Sequence, residues 1–237
     1  MNFLVFEDSE PVRESLCCTL LAFGIKGIPA ATRAEAEGIL ARNPDIQGAL
    51  VAIDNEDVGG AAFIKALAEG GKSPSCRIIV HTAQADKESV RRMLELGVVG
   101  YLLGPFEERS TPVKLRAILD RIAGQNAERK HVRVQPAPDE LIRVSFRLPE
   151  QPILFAGKVI DISLGGMAVD LFRLPDGGGL EPGTLIERME MSLLNKQIMP
   201  SGVVVACRAK ALAVRFEPLS VRDKPVLERY IFRRSIQ

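Results

Sequence analysis

The chain has 237 residues, 46% of them hydrophobic and 5% aromatic, enough to build one large or two modest cores. A formal net charge of +1 excludes a global field that would draw the chain to nucleic acid or to an anionic membrane surface. There is no apolar run of eighteen residues, and Met1–Phe6 passes straight into Glu7 and Asp8, so neither membrane insertion nor secretion is expected and the cytoplasm is the expected location.

Phe3-Leu4-Val5-Phe6 predicts a buried strand, and Val12, Leu16, Leu20 and Phe23 mark a helical stripe after it. Gly24 to Gly27 turns the chain into a second strand near Ile28, and residues 32–42, rich in Ala and Glu, predict a helix. Ala49–Ile53 predicts a third strand, residues 61–68 a helix, Arg77–Val80 a fourth strand and residues 87–96 a helix. Val98–Leu103 and residues 112–122 complete the series with a strand and a helix. Five strand–helix units predict an α/β, doubly wound, parallel five-stranded sheet, with any site at the carboxyl edge of its strands.

Four cysteines (Cys17, Cys18, Cys76, Cys207) lack metal-ligand spacing, and the two histidines, His81 and His131, are too few for a metal site. Neither histidine has a nucleophile partner, and no phosphate-binding loop or hydrolase triad is present, so no catalytic residue is assigned and the chain is not expected to be an enzyme. Glu7-Asp8 follows the first strand. These acids suit the N-terminus of the next helix, which has Pro11 in its first turn, and as hard carboxylates they are also candidates to hold Mg2+.

Glu7-Asp8, Thr82-Ala83 after the fourth strand, and Tyr101-Leu102-Leu103-Gly104-Pro105-Phe106 together resemble a response-regulator receiver domain. In that family the acidic pair binds magnesium, a hydroxyl follows strand four, and an aspartate accepts phosphate. Two departures stand out. Gly104 replaces the family's lysine, whose charge balances the phosphoryl group, so electrostatic stabilisation would drop. Counting back from Gly60 without a gap places Ala52 at the acceptor position, whereas a loop two residues shorter places Asp54 there. The expectation is a degenerate receiver-like domain over residues 1–124, not productively phosphorylated. It would serve as an interaction or dimerisation platform for a protein partner or a second copy in a homodimer.

The second half, residues 125–237, opens on Arg129-Lys130-His131-Val132-Arg133, with Pro136 and Pro138 just downstream. A guanidinium is always charged and presents a planar fork that matches phosphate oxygens or the O6/N7 edge of guanine, and it can also lie flat on a base. Lys130 offers charge without the fork. Further on, Asp161 and Ser163 alternate with Ile160, Ile162 and Leu164, which predicts a strand with both polar side chains on one face and the isoleucines on the other. Gly165 and Gly166 then allow a turn with positive φ and a close backbone approach. Alone, the arginines read as a solvated basic face and the D-x-S-x-x-G run as a strand-to-turn exit.

Residues 167–171, 189–193, 202–207 and 212–216 predict short strands separated by turns, the pattern of a small antiparallel β-barrel. Val226, Leu227, Tyr230 and Ile231 recur at helical spacing in a C-terminal helix. Arg215 alternates out of the apolar face of its strand, open to solvent or to a ligand.

R-x-x-x-R followed by D-x-S-x-x-G and a β-rich stretch resembles the PilZ domain, a family of bacterial receptors for cyclic di-GMP. The resemblance implies a six-stranded barrel with a C-terminal helix. It also implies cyclic di-GMP as ligand, with Arg129, Arg133, Asp161, Ser163, Gly165 and Gly166 as its binding residues. Ligand held at the junction of the halves would change their arrangement and so their partners. Two other functions stay open: a phosphorelay regulator phosphorylated at Asp54 with the barrel as output, and a ligand-free scaffold.

Overall fold

The computed structural model describes residues 1–55, 59–69, 76–83, 87–104, 106, 110–122, 131–148, 151–173 and 180–236. The chain divides into two compact units, Met1–Arg129 and Lys130–Gln237.

In the first unit, strands β1 (Asn2–Phe6), β2 (Lys26–Ala30), β3 (Ile46–Ala52), β4 (Arg77–Thr82) and β5 (Gly100–Leu103) form an all-parallel sheet in the order β2-β1-β3-β4-β5. Helices α1 (Glu10–Leu21), α2 (Arg33–Arg42), α3 (Gly60–Glu69), α4 (Lys87–Glu95) and α5 (Ser110–Ile122) alternate with them. The central strands read as unbroken apolar runs because helices cover both faces of such a sheet. Phe3, Leu4, Val5 and Phe6 are all fully buried, and the rings of Phe6 and Phe63 meet edge to face at 5.4 Å. The strand order reverses between β1 and β3, which opens a crevice at the carboxyl edge there. Residues 7–8 and 54–55 lie beyond β1 and β3 at that edge, where Thr82 ends β4 and Ala83 follows it.

The second unit is one antiparallel sheet followed by a helix. Its strands are β6 (Arg133–Val134), β7 (Arg143–Leu148), β8 (Gln151–Ser163), β9 (Gly166–Leu171) and β10 (Leu185–Ile186). They continue with β11 (Met189–Leu193), β12 (Lys196–Ile198), β13 (Gly202–Arg208) and β14 (Ala211–Phe216), and α6 (Asp223–Ser235) ends the unit. The order is β10-β13-β14-β9-β8-β7-β11-β12, with β6 paired to the far end of β8. The sheet curls into a half-barrel around a core that includes the stacked rings of Phe146 and Phe155, 5.2 Å apart. Six long strands carry the curl and three short ones (β6, β10, β12) extend it, so the strand number exceeds the six expected. The sequence analysis assigned no strands to residues 143–157, although Arg143–Leu148 alternates polar and apolar residues at strand period and Pro149 and Pro152 follow it.

Helix α6 is tied to the segment that carries Arg133. Tyr230, 1% exposed, donates its hydroxyl to Glu140 Oε2 at 2.9 Å, and Arg234 Nε donates to the Gln135 carbonyl at 3.2 Å. The same Glu140 oxygen accepts from the Ala137 amide, so the carboxylate fixes both chain segments.

Candidate functional site

Two regions bring the singled-out residues together. The first lies on the outer face of the half-barrel. In β8, Phe155, Gly157 and Val159 point inward, and strict alternation would send Asp161 and Ser163 inward as well. They do not follow, because the β8–β9 register slips between Val159 and Asp161: Val159 opposes Val169, and Asp161 opposes Ala168. Ile160 is the extra residue of a β-bulge, which re-aims the side chains beyond it. Asp161 and Ser163 share a face as expected, but the isoleucines part: Ile160 is 39% exposed and Ile162 is fully buried.

Strand β6 places Arg133 opposite Ser163. From there Arg133 Nη1 donates to Asp161 Oδ1 at 3.0 Å, an ion pair on the solvent face. The Ser163 hydroxyl is 2% exposed; it donates to the Gly166 carbonyl at 3.2 Å and accepts from the Gly165 amide at 3.3 Å. Ser163 therefore shapes the turn that follows the strand. The glycines serve close approach. A Cβ on Gly166 would stand 2.2 Å from the Val214 carbonyl oxygen, and one on Gly165 would stand 2.3 Å from His131 Cδ2. The expected positive φ is absent at Gly165, whose place is set by the histidine packed on it. His131 sits between the two arginines in sequence and joins the two motifs in space; a lone histidine in a basic run gave no signal of that. Arg129 and Lys130 lie outside the described residues.

The second region is the carboxyl edge of the parallel sheet. Asp54 lies two residues beyond β3, and its carboxylate accepts from the Thr82 hydroxyl and, at 2.7 Å, from the Ala83 amide. Asn55 donates to Asp8 at 2.9 Å, which holds the Asp8 carboxyl below its ordinary range. Glu7 turns inward, 6% exposed, with Oε1 accepting from the Ser9 amide at 2.8 Å and Oε2 3.3 Å from His81 Nε2. Burial pushes the Glu7 carboxyl up to about 7, and the neighbouring Asp8 and Asp54 add to that against the Ser9 amide. Burial pushes His81 down to about 4. A protonated Glu7 facing an unprotonated His81 is the neutral pairing that a dry site favours. The signal was present in the sequence as one histidine inside the apolar run of β4, but no spacing tied it to Glu7.

The acids of this edge interact, with Glu7 and Asp8 side by side and Asp54 close enough to act on Glu7; among the described residues no group of three His, Cys, Asp or Glu side chains gathers as a metal cluster. Gly104 donates its amide to the Thr82 carbonyl at 2.9 Å, and a Cβ there would lie 3.4 Å from Ala83 Cα, the residue whose amide binds Asp54.

The buried acid has a pH consequence. Its folded pKa is about 7 against an ordinary 4.5, so the stability it contributes is present below pH 4.5 and is lost as pH rises through 7. Glu7→Gln is therefore expected to stabilise the first unit increasingly between pH 4.5 and 7, by up to about 3 kcal/mol above that window. His81 acts oppositely, losing stability as pH falls from 6.5 towards about 4, so the effect of Glu7 is read most cleanly at pH 7–8, where His81 is neutral in both states. Thermal melts from pH 4 to 8 check this; a constant offset between the two proteins contradicts it.

Residues 127–233 match the family model of the PilZ domain. The C-terminal unit is a PilZ domain. The N-terminal unit has the receiver, or CheY-like, fold, so the chain joins a receiver unit to a PilZ domain. The phosphate regulon transcriptional regulatory proteins PhoB of Klebsiella pneumoniae and Escherichia coli are each 29% identical to the chain over 130 residues, which is 54% of this chain and 55% of theirs. The chain thus spans about half the length of the curated relatives it matches. Among solved structures, chemotaxis protein CheY4 of Vibrio cholerae aligns over 51% of this chain and 97% of its own, at 22% identity and a TM-score of 0.46. The PilZ domain with c-di-GMP of YcgR from Escherichia coli aligns over 46% and 92%, at 18% identity and a TM-score of 0.39.

Proposed function

We propose that this chain is a receptor for cyclic di-GMP rather than an enzyme, and that the outer face of its PilZ domain is the ligand-binding surface. The observation that supports this best is the meeting of Arg133 with Asp161 at 3.0 Å, beside the Ser163–Gly166 turn. One group forks phosphate or a guanine edge; the other accepts from guanine N1–H and N2–H2. Here Arg133 donates to Asp161. Arg129 and Lys130 would join them from residues 125–130, so that bound ligand draws the junction of the halves onto the barrel and changes their arrangement. For that to act as a switch, the ligand must bind one arrangement more tightly than the other. The receiver unit would then meet a protein partner or a second copy of the chain. Among the described residues no helix is long and apolar enough to cross a membrane, which accords with a cytoplasmic place of action. Calorimetric titration of the whole chain with cyclic di-GMP tests the reading: micromolar or tighter binding supports it, and absence of both heat and thermal shift overturns it.

A second reading, phosphorylation at Asp54, is favoured by the placement of that carboxylate against Thr82 and the Ala83 amide. Gly104 opposes it. With acetyl phosphate and magnesium, intact-mass measurement is expected to show no accumulating phosphoryl adduct on the parent chain. Gly104→Lys finds ordinary contact distances for its Cβ and would bring an ammonium towards Asp54. Phosphoryl gain in that variant alone, abolished by Asp54→Asn, is the expected pattern. A gain already present in the parent would mean that the lysine is dispensable here.

A further inference from the structure

Strand pairing places four residues in one transverse row: Arg133 on β6 opposes Ser163 on β8, Ser163 opposes Gly166 on β9, and Gly166 opposes Arg215 on β14. Directly paired residues share a face of the sheet. The intervening residues Val134, Ile162, Met167 and Val214 all point into the core, so this row belongs to the outer face. Three strand spacings of about 4.8 Å set the two arginines about 14 Å apart at the backbone. The next outward row runs Asp161, Ala168, Ala213 and Ala206. Beyond Asp161 that row carries nothing taller than a methyl group. It forms a low shelf on β9 and β14, bordered on its far side by the Lys158–Asp170 ion pair at 3.4 Å. Asp161 and Arg133 stand at one end of the shelf. Arg215 stands beside Ala213, exposed, and among the described residues its guanidinium forms no ion pair.

We infer that Arg215 is a further ligand-contacting residue, and that the Ala168–Ala213 shelf takes one guanine of the ligand face down. This inference rests on the receptor reading above. A purine lying flat on methyl groups turns its edge outward along the sheet. Arg215, one residue pair along β14, presents a planar fork that suits the O6/N7 edge of guanine. Adenine offers a donor where guanine offers O6, so the same fork disfavours it. Arg133 and Asp161 thus hold one end of the ligand while Arg215 reads the base at the other, across a floor that the motif residues alone do not supply. The bulge at Ile160 is what brings Asp161 onto the same face as this floor.

Titration of the whole chain with cyclic di-GMP and, separately, with cyclic di-AMP tests the inference. The parent, Arg215→Ala, Arg215→Lys and Ala213→Leu are compared, with melting temperature measured for each. Arg215→Ala is expected to weaken cyclic di-GMP binding about tenfold or more and to shrink the preference over cyclic di-AMP. Arg215→Lys should not restore that preference, since an ammonium lacks the fork. Ala213→Leu should block the shelf and weaken binding of both ligands. None of the three should lower the melting temperature by more than a degree or two, because both positions face outward. If the parent binds cyclic di-GMP and Arg215→Ala binds it equally well, the inference fails and the receptor reading stands. If Arg215→Ala weakens both ligands alike, Arg215 serves phosphate charge only and its role in reading the base is overturned. If the parent binds neither ligand, the receptor reading fails and the inference falls with it.

Discussion

Arg133→Ala is expected to lower affinity for cyclic di-GMP roughly ten- to a hundredfold while leaving the fold intact. A charge-assisted hydrogen bond contributes about 1.5–3 kcal/mol, and about 1.4 kcal/mol is tenfold in affinity. The fold is spared because the Arg133–Asp161 ion pair is exposed on the arginine side, and pairs of that kind contribute about 0–1 kcal/mol to stability. Asp161→Ala should also weaken binding without unfolding the half-barrel. The two changes should not be additive: Asp161 both meets the ligand and holds Arg133 at 3.0 Å, so the double variant should lose less than the sum of the singles. Calorimetry on the four proteins of this cycle checks it. If Asp161→Ala leaves affinity untouched and lowers the melting temperature instead, the carboxylate is a structural residue of the bulge.

Gly166→Ala should be the most damaging small substitution in the PilZ domain. The added methyl would stand 2.2 Å from the Val214 carbonyl oxygen and 3.1 Å from Arg215 Cα, and both are backbone atoms that a rotamer change cannot clear. Strands β9 and β14 must part, at the point where Gly166 opposes Arg215. Overpacking that moves backbone costs about 3 kcal/mol or more, which for a domain of this size lowers the melting temperature on the order of 10 °C. Gly165→Ala makes a useful contrast. Its methyl would meet the His131 ring, which can swing aside, so it should cost ligand affinity by displacing the segment between the arginines while costing less stability. Melting curves and titrations of both variants separate the two roles; equal melting of Gly166→Ala and parent would contradict the packing described for β9 and β14.

The elements of the receiver unit were legible in the sequence because a parallel sheet covered on both faces writes each strand as an unbroken apolar run, and each helix as a stripe. Phe3–Phe6, Ala49–Ile53 and Ile78–Val80 all carry that signature. The PilZ domain was legible in its motifs and in its later strands; β7, equally regular in alternation, was also legible but was not assigned, and β8 changes phase part-way. Arg133, Asp161 and Ser163 were singled out because their order resembles the PilZ motifs; taken alone, their residue types read equally as a solvated face and a turn exit. Their geometry could not be foretold. Period-two counting along β8 from Phe155 sends Asp161 and Ser163 into the core, and a one-residue bulge at Ile160 turns them out. The apolar pattern of β8 changes phase between Val159 and Ile162, which marks the bulge in the sequence, but its place is settled by the pairing with β9.

The same division runs through the rest of the chain. The sequence by itself determined an α/β unit followed by an antiparallel β unit with a C-terminal helix, the acidic edge after β1 and β3, the absence of a lysine at position 104, and the R-x-x-x-R and D-x-S-x-x-G motifs. Local propensity and periodicity carry that information residue by residue. Only the tertiary structure decided that Glu7 turns inward to His81, that Asp54 lies against Thr82 and the Ala83 amide, that His131 packs on Gly165, and that Arg215 shares a row with Arg133. Each of these joins residues distant in sequence, and strand register and close packing, which arise only when separate elements meet, select such contacts.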